Sequence, residues 1–136
     1  MNALVLVLVA ACNPYLSAQS TAPPGRAARL DEVKGFWGLK SYRLELSEGV
    51  AFAITCNYGG PCEHVKIVSD DPAIADVRPA SLGVLERAGQ TSSAMVVIGK
   101  APGRTHLHVS ANEGHRDIAV TVVPSPAPVT ARTAAR

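Results

Sequence analysis

The chain has 136 residues, with 13 Lys and Arg against 11 Asp and Glu; the resulting net charge of +2 forms no basic block and does not suggest a nucleic-acid partner. Aromatic residues make up only 4%, too few for a platform that stacks bases or sugars, and 11 Gly with 10 Pro favour short strands and turns over a helix bundle. The size suits one domain with tails.

The apolar run Ala3 to Ala11 comes first. It is too short to cross a bilayer as a helix, which takes ~20 apolar residues. Its length does fit the apolar region of an export signal. The run ends Val9-Ala10-Ala11-Cys12, which resembles a bacterial lipobox. The resemblance implies that the Cys12 thiol receives a diacylglycerol, that residues 1–11 are cleaved off as a lipoprotein signal peptide, and that the new amino terminus is acylated. Two or three acyl chains anchor a protein stably, at ~0.8 kcal/mol per buried CH₂. Met1-Asn2 carries no Lys or Arg, a departure from the usual signal peptide. The alternatives are a buried β-strand and an ordinary secretory peptide cut before Cys12. Asn13 supplies no acidic retention signal, which points to the outer membrane, facing the periplasm or the cell surface.

From residue 12 to 38 the sequence reads as a lipid-anchored flexible spacer, because NPYLSAQSTAPPGRAA is small, polar and broken by Pro-Pro-Gly. RLDEVK, Arg29 to Lys34, is predicted to form one helical turn. In GFWGLK, Trp37 is expected to close one end of the core with Phe36; the alternative is a binding hot spot.

Residues 39–123 carry β-strand patterning. Tyr42, Leu44 and Leu46 alternate with polar residues, so they share a face. Ser47-Glu48-Gly49 turns the chain into a second strand, Val50 to Cys56. His64 to Val68 is a third, ended by Ser69-Asp70-Asp71-Pro72, where an Asx turn explains the paired acids better than acid–base catalysis does. Ile74 to Val77 and Leu82 to Arg87 follow as short strands. Ala94 to Lys100 is a continuous apolar run, as a central strand covered on both faces would be. A closing hairpin with its turn at Glu113-Gly114 would pair Val109 with Ile118 and Leu107 with Val120. That places His106, His108, Asp117, Ala119 and Thr121 on the other side. About seven short strands predict an all-β fold, a β-sandwich. Pro124 to Arg136 (PSPAPVTARTAAR) is too Pro-rich to join a ladder and is expected to be a disordered tail.

SDDPAIADV, Ser69 to Val77, with VVIGKAPGRTHLHV and DIAVTVV, resembles the bacterial immunoglobulin-like domain of the invasin and intimin group. It is also similar to the N-terminal domain of pilus-assembly and secretin proteins. The resemblance covers about Ser69 to Val123, under half of the chain. It implies an immunoglobulin-like sandwich with an Asp-Pro turn, a small Ala75 packed in a strand, and a positive φ at Gly103. It implies an envelope role and no catalytic residue. The span Ala80 to Ser93 is longer than either pattern has, and the Cys56–Cys62 loop belongs to neither.

In CNYGGPC, Cys56 and Cys62 flank a Gly-Gly-Pro turn. With Cys12 lipidated, these two are left in an oxidising compartment and are predicted to form a structural disulfide. Redox activity and a zinc site with His64 are the alternatives, and neither has the usual spacing. Alternate strand residues lie ~7 Å apart, so His106 and His108, with His115 and Asp117 across the hairpin, could share copper or zinc. The reading adopted is an exposed polar face without metal, since no further ligand is fixed. No nucleophile elbow or His-Glu-x-x-His helix is present, so no enzyme, cofactor or small-molecule substrate is expected. The leading expectation is an envelope lipoprotein held to the membrane by lipid on Cys12 and displaying its module to an envelope protein partner. An accessory of a secretin or pilus-assembly apparatus, and a periplasmic metal-binding protein, are the alternatives.

Overall fold

The computed structural model describes residues 14–80 and 94–127, apart from the side chain of Trp37. These residues form an all-β sandwich of two packed sheets. In chain order the strands are β1 (Tyr15–Ala18), β2 (Ala28–Lys34), β3 (Lys40–Ser47), β4 (Ala51–Asn57), β5 (Lys66–Ser69), β6 (Ala75–Pro79), β7 (Ala94–Gly99), β8 (Gly103–Ala111) and β9 (Gly114–Val123). One sheet has the order β1-β4-β7-β6, the other β2-β3-β9-β8-β5. All neighbours are antiparallel except β3 and β9.

Period-two patterning builds the core. Tyr42, Leu44 and Leu46 of β3 point inward with Leu107 and Val109 of β8 and Ile118, Val120 and Val122 of β9. Phe52, Ile54 and Cys56 of β4 and Met95 and Val97 of β7 meet them from the other sheet. Each such aliphatic or aromatic side chain contributes roughly 1.5–3 kcal/mol by leaving water. Ala75 is fully buried, as the resemblance implied. Gly103 adopts φ +156, a backbone conformation that strains any larger residue, and a Cβ there would also push the end of the Ile74 side chain, 2.9 Å away.

The connections sort the turns to two ends of the sandwich. Residues 47–50, 70–74 and 99–103 lie at one end, where Glu48 N–H donates to Val123 C=O and Gly49 N–H to Gly99 C=O. Pro14, residues 35–39, the 57–65 loop and the Ala111–Gly114 turn lie at the other. There Asn112 N–H donates to Glu63 C=O at 3.0 Å.

Several expectations change. The stretch read as a spacer supplies β1 and β2, so the sandwich already includes Tyr15 rather than starting at residue 39. β1 pairs with β4, its Leu16 is buried, and Leu16 N–H donates to Tyr42 Oη at 3.1 Å. Pairing at a sheet edge needs backbone donors and acceptors more than apolar side chains, so this small, polar stretch can supply it. RLDEVK is strand, not helix: the i, i+3 spacing of Leu30 and Val33 suits a helix face, but the seven-residue ladder with β3 decides, and it turns Leu30 toward the core and Val33 to the other face. Phe36 belongs to a 3-10 turn, Phe36–Gly38, and is 83% exposed, so it does not close the core.

β7 is central, but its outer face (Ala94, Val96, Ile98) is only half-buried. The third strand starts at Lys66, because His64 takes φ +52 and leaves the extended region. The closing hairpin turns at Asn112-Glu113, with Ala111 opposite Gly114 and Leu107 opposite Ile118. The predicted register is thus off by two residues, which leaves every side chain on its predicted face. Gly114, at φ +137, stands just beyond the turn, where only glycine is comfortable. The predicted strand Leu82 to Arg87, Cys12 and most of the Pro-rich tail lie outside the described residues.

Candidate functional site

The histidine face organises around one residue. His108 sits on the outer side of β8, opposite Val68 of β5 and Asp117 of β9. Its Nδ1 lies 2.7 Å from Asp117 Oδ1 and its Nε2 lies 2.9 Å from Asp70 Oδ1. An ionised carboxylate only accepts, so the arrangement favours the imidazolium form, in which both ring nitrogens donate. Asp117 first, then Asp70, raises the His108 pKa above its ordinary 6.5, with a small opposing effect of burial. A metal ligand needs a neutral imidazole with a free lone pair, the form that two flanking carboxylates disfavour.

The other candidates do not join it as a set. His106 faces Ala119, and His115 faces Ser110 near the hairpin turn. No group of three or more His, Cys, Asp or Glu suited to a metal ion occurs among the described residues. Asp70, the residue that completes the His108 bridge, was missed in the sequence. Its neighbour Asp71 makes the predicted Asx turn instead, accepting Ala73 N–H at 3.0 Å.

Cys56 and Cys62 are bonded to each other, with Cα atoms 5.4 Å apart, and both are buried in the core. The intervening loop is closed by Cys62 N–H to Cys56 C=O at 3.0 Å and Tyr58 N–H to Gly60 C=O at 2.7 Å. Glu63 N–H then donates to both carboxylate oxygens of Glu113 at 3.1 Å, tying this loop to the β8–β9 turn. With its sulfurs buried, the bond suits a structural staple better than thiol exchange, which needs access.

A second unanticipated residue is Arg116. It occupies the buried phase of β9, in step with Ile118 and Val120. Its Nε donates to Pro14 C=O at 2.8 Å and its Nη1 to Lys40 C=O at 3.2 Å. One guanidinium therefore fixes the start of β1 beside the start of β3. An Arg in a run of inward positions is a readable signal, because a buried charge must be bound to acceptors. A shallow hollow of about 510 Å³ also lies on the outer sheet face, among Arg29, Asp31, Arg43, Glu45, Arg104 and Thr121. Its charges are of mixed sign, and Arg29 is already paired with Asp31 at 2.7 Å.

No protein-family model matches the chain, and no curated protein does. Among solved structures, the chain is similar to surface layer protein SbsC, domains 4-9, at TM-score 0.47 and 20% identity, covering 85% of this chain and 15% of that one. A structure of domains 1-6 gives 0.46 and 20%, covering 84% and 14%. A crystal structure of domains 4 and 5 gives 0.44 and 20%, covering 82% and 54%. The chain thus spans about half or less of the length of these neighbours. At such values the likeness is one of β-rich architecture alone.

Proposed function

We propose that this chain is an exported, lipid-anchored module of a bacterial cell envelope, whose sandwich serves structure or protein–protein interaction rather than catalysis. The observation that carries the reading is the Cys56–Cys62 disulfide, since such bonds persist in oxidising compartments and are rare in the cytosol. Val9-Ala10-Ala11-Cys12 after an apolar run adds the means of export and anchoring. The metal-binding alternative loses ground because both ring nitrogens of His108 are engaged by Asp70 and Asp117. One measurement tests the proposal: mass spectrometry of the membrane fraction, without reduction. The expected result is an acylated peptide beginning at Cys12 together with a bridged Cys56–Cys62 peptide. A soluble chain that keeps Met1 and has free thiols at Cys56 and Cys62 overturns it.

A further inference from the structure

Five large hydrophobic side chains are exposed among the described residues: Tyr15, Phe36, Leu39, Tyr58 and Val68. Val68 stands alone on the outer face of its sheet. The other four lie at one end of the sandwich, the end where the chain leaves Pro14 toward Cys12. Phe36 and Leu39 are 83% and 63% exposed, the extreme values of the set. They sit at the tip of the β2–β3 hairpin, where Lys34 pairs with Lys40 and Gly35 N–H donates to Leu39 C=O at 2.6 Å. That closed tip has a fixed place relative to Pro14, because Arg116 holds the Pro14 and Lys40 carbonyls together. Lys40 Nζ also stands 4.4 Å from the centre of the Tyr15 ring.

Only Asn13 separates Pro14 from Cys12, and two residues of extended chain reach about 7 Å at most. Resting on the anchoring reading above, we propose that this end of the sandwich is a membrane-contact surface: Phe36 and Leu39 enter the bilayer interface while Tyr15 and Tyr58 lie at headgroup level. Tyrosines favour that level, because the ring is apolar and the hydroxyl is wet. Lys34, exposed beside the tip, can meet lipid phosphates, whereas Lys40 is already paired with Glu32 at 3.0 Å. The domain therefore sits directly on the membrane instead of swinging on a long tether, with its opposite end, at Val123, turned away.

Hydroxyl-radical footprinting tests this with two preparations on phosphatidylethanolamine and phosphatidylglycerol vesicles. One is the acylated protein purified from membranes. The other is the chain from Cys12 onward, which contains every described residue, coupled through its single free thiol to a maleimide phospholipid. On vesicles, Phe36 and Leu39 are expected to lose most of the oxidation they show in solution, while Val68 keeps its own. A long Gly/Ser spacer inserted between Asn13 and Pro14 should restore much of the Phe36 and Leu39 signal. Unchanged oxidation of Phe36 and Leu39 on the coupled vesicles overturns the contact surface and leaves the anchoring reading standing. Protection there with no acyl group on Cys12 in cells overturns the anchoring reading and keeps the surface.

Discussion

The β8–β9 hairpin and the β1–β2 segment belong to one sandwich and are held by different physics. In the hairpin, Leu107, Val109, Ile118, Val120 and Val122 all turn inward, so burial of apolar area dominates. In the β1–β2 segment, Leu16 is buried but Leu30 and Val33 are only partly so. What secures that segment is a backbone ladder on each strand, plus polar ties to distant residues. Ser47 Oγ accepts Ala27 N–H at 2.7 Å, and Ser20 Oγ accepts Ala53 N–H at 3.0 Å. The lesson is that apolar patterning specifies the middle of a sheet, while its edges can be held by hydrogen bonds that leave almost no mark on composition.

The sharpest way to break the contrast is in the hairpin. Leu107→Ala empties a fully buried position and is expected to cost about 2–5 kcal/mol, read as a drop in denaturant midpoint with cooperative loss of both sheets. The matching change for the edge is Arg116→Leu, which leaves the Pro14 and Lys40 carbonyls without their donor. A loss of about 1–3 kcal/mol is expected. Its signature differs: amide exchange should quicken first at Leu16 to Ala18, by local release of β1, before the core responds. Uniform acceleration across β8 and β9 would show that the two regions are not separable.

The smallest effect belongs to His108, which ties the loop after β5 to the hairpin's outer face. Its pKa is raised in the folded protein, so the stability it adds is fully present below about pH 6.5, its unfolded value, and fades as pH rises through the folded value. The Tm difference between the parent and His108→Gln should therefore be widest in mildly acidic buffer and shrink in alkaline buffer. High salt should narrow it further, because the ring is half exposed and screened. A difference that grows with pH would contradict the imidazolium assignment.

Much of the fold was readable because its signals are local. Tyr42, Leu44 and Leu46 alternate, Asp71 precedes Pro72, and Cys56 and Cys62 flank a turn. Each is set by neighbours in sequence. The hairpin register slipped by two residues because Glu113-Gly114 matches a favoured turn pair, whereas the folded turn is also set by Glu63, fifty positions away from Glu113. β1 and β2 were hidden because backbone ladders and polar ties hold them, and neither marks the composition. The His108 bridge was half visible: Asp117 follows from the hairpin, but Asp70 arrives only because β5 packs against β8, a pairing no local pattern announces.

The placement of Pro14 and Val123 at opposite ends has a mechanical consequence. A force applied between them runs along the strands, not across them. The four β1–β4 residue pairs would then be loaded together in shear, rather than opened one at a time like a zip. β9 would be drawn along β3 and β8 in the same way. For a module pulled at its two ends, the relevant durability is the unfolding rate under load, more than the equilibrium free energy. The short β1, with Arg116 clamped on the Pro14 carbonyl just before it, would be the first latch that such a load meets.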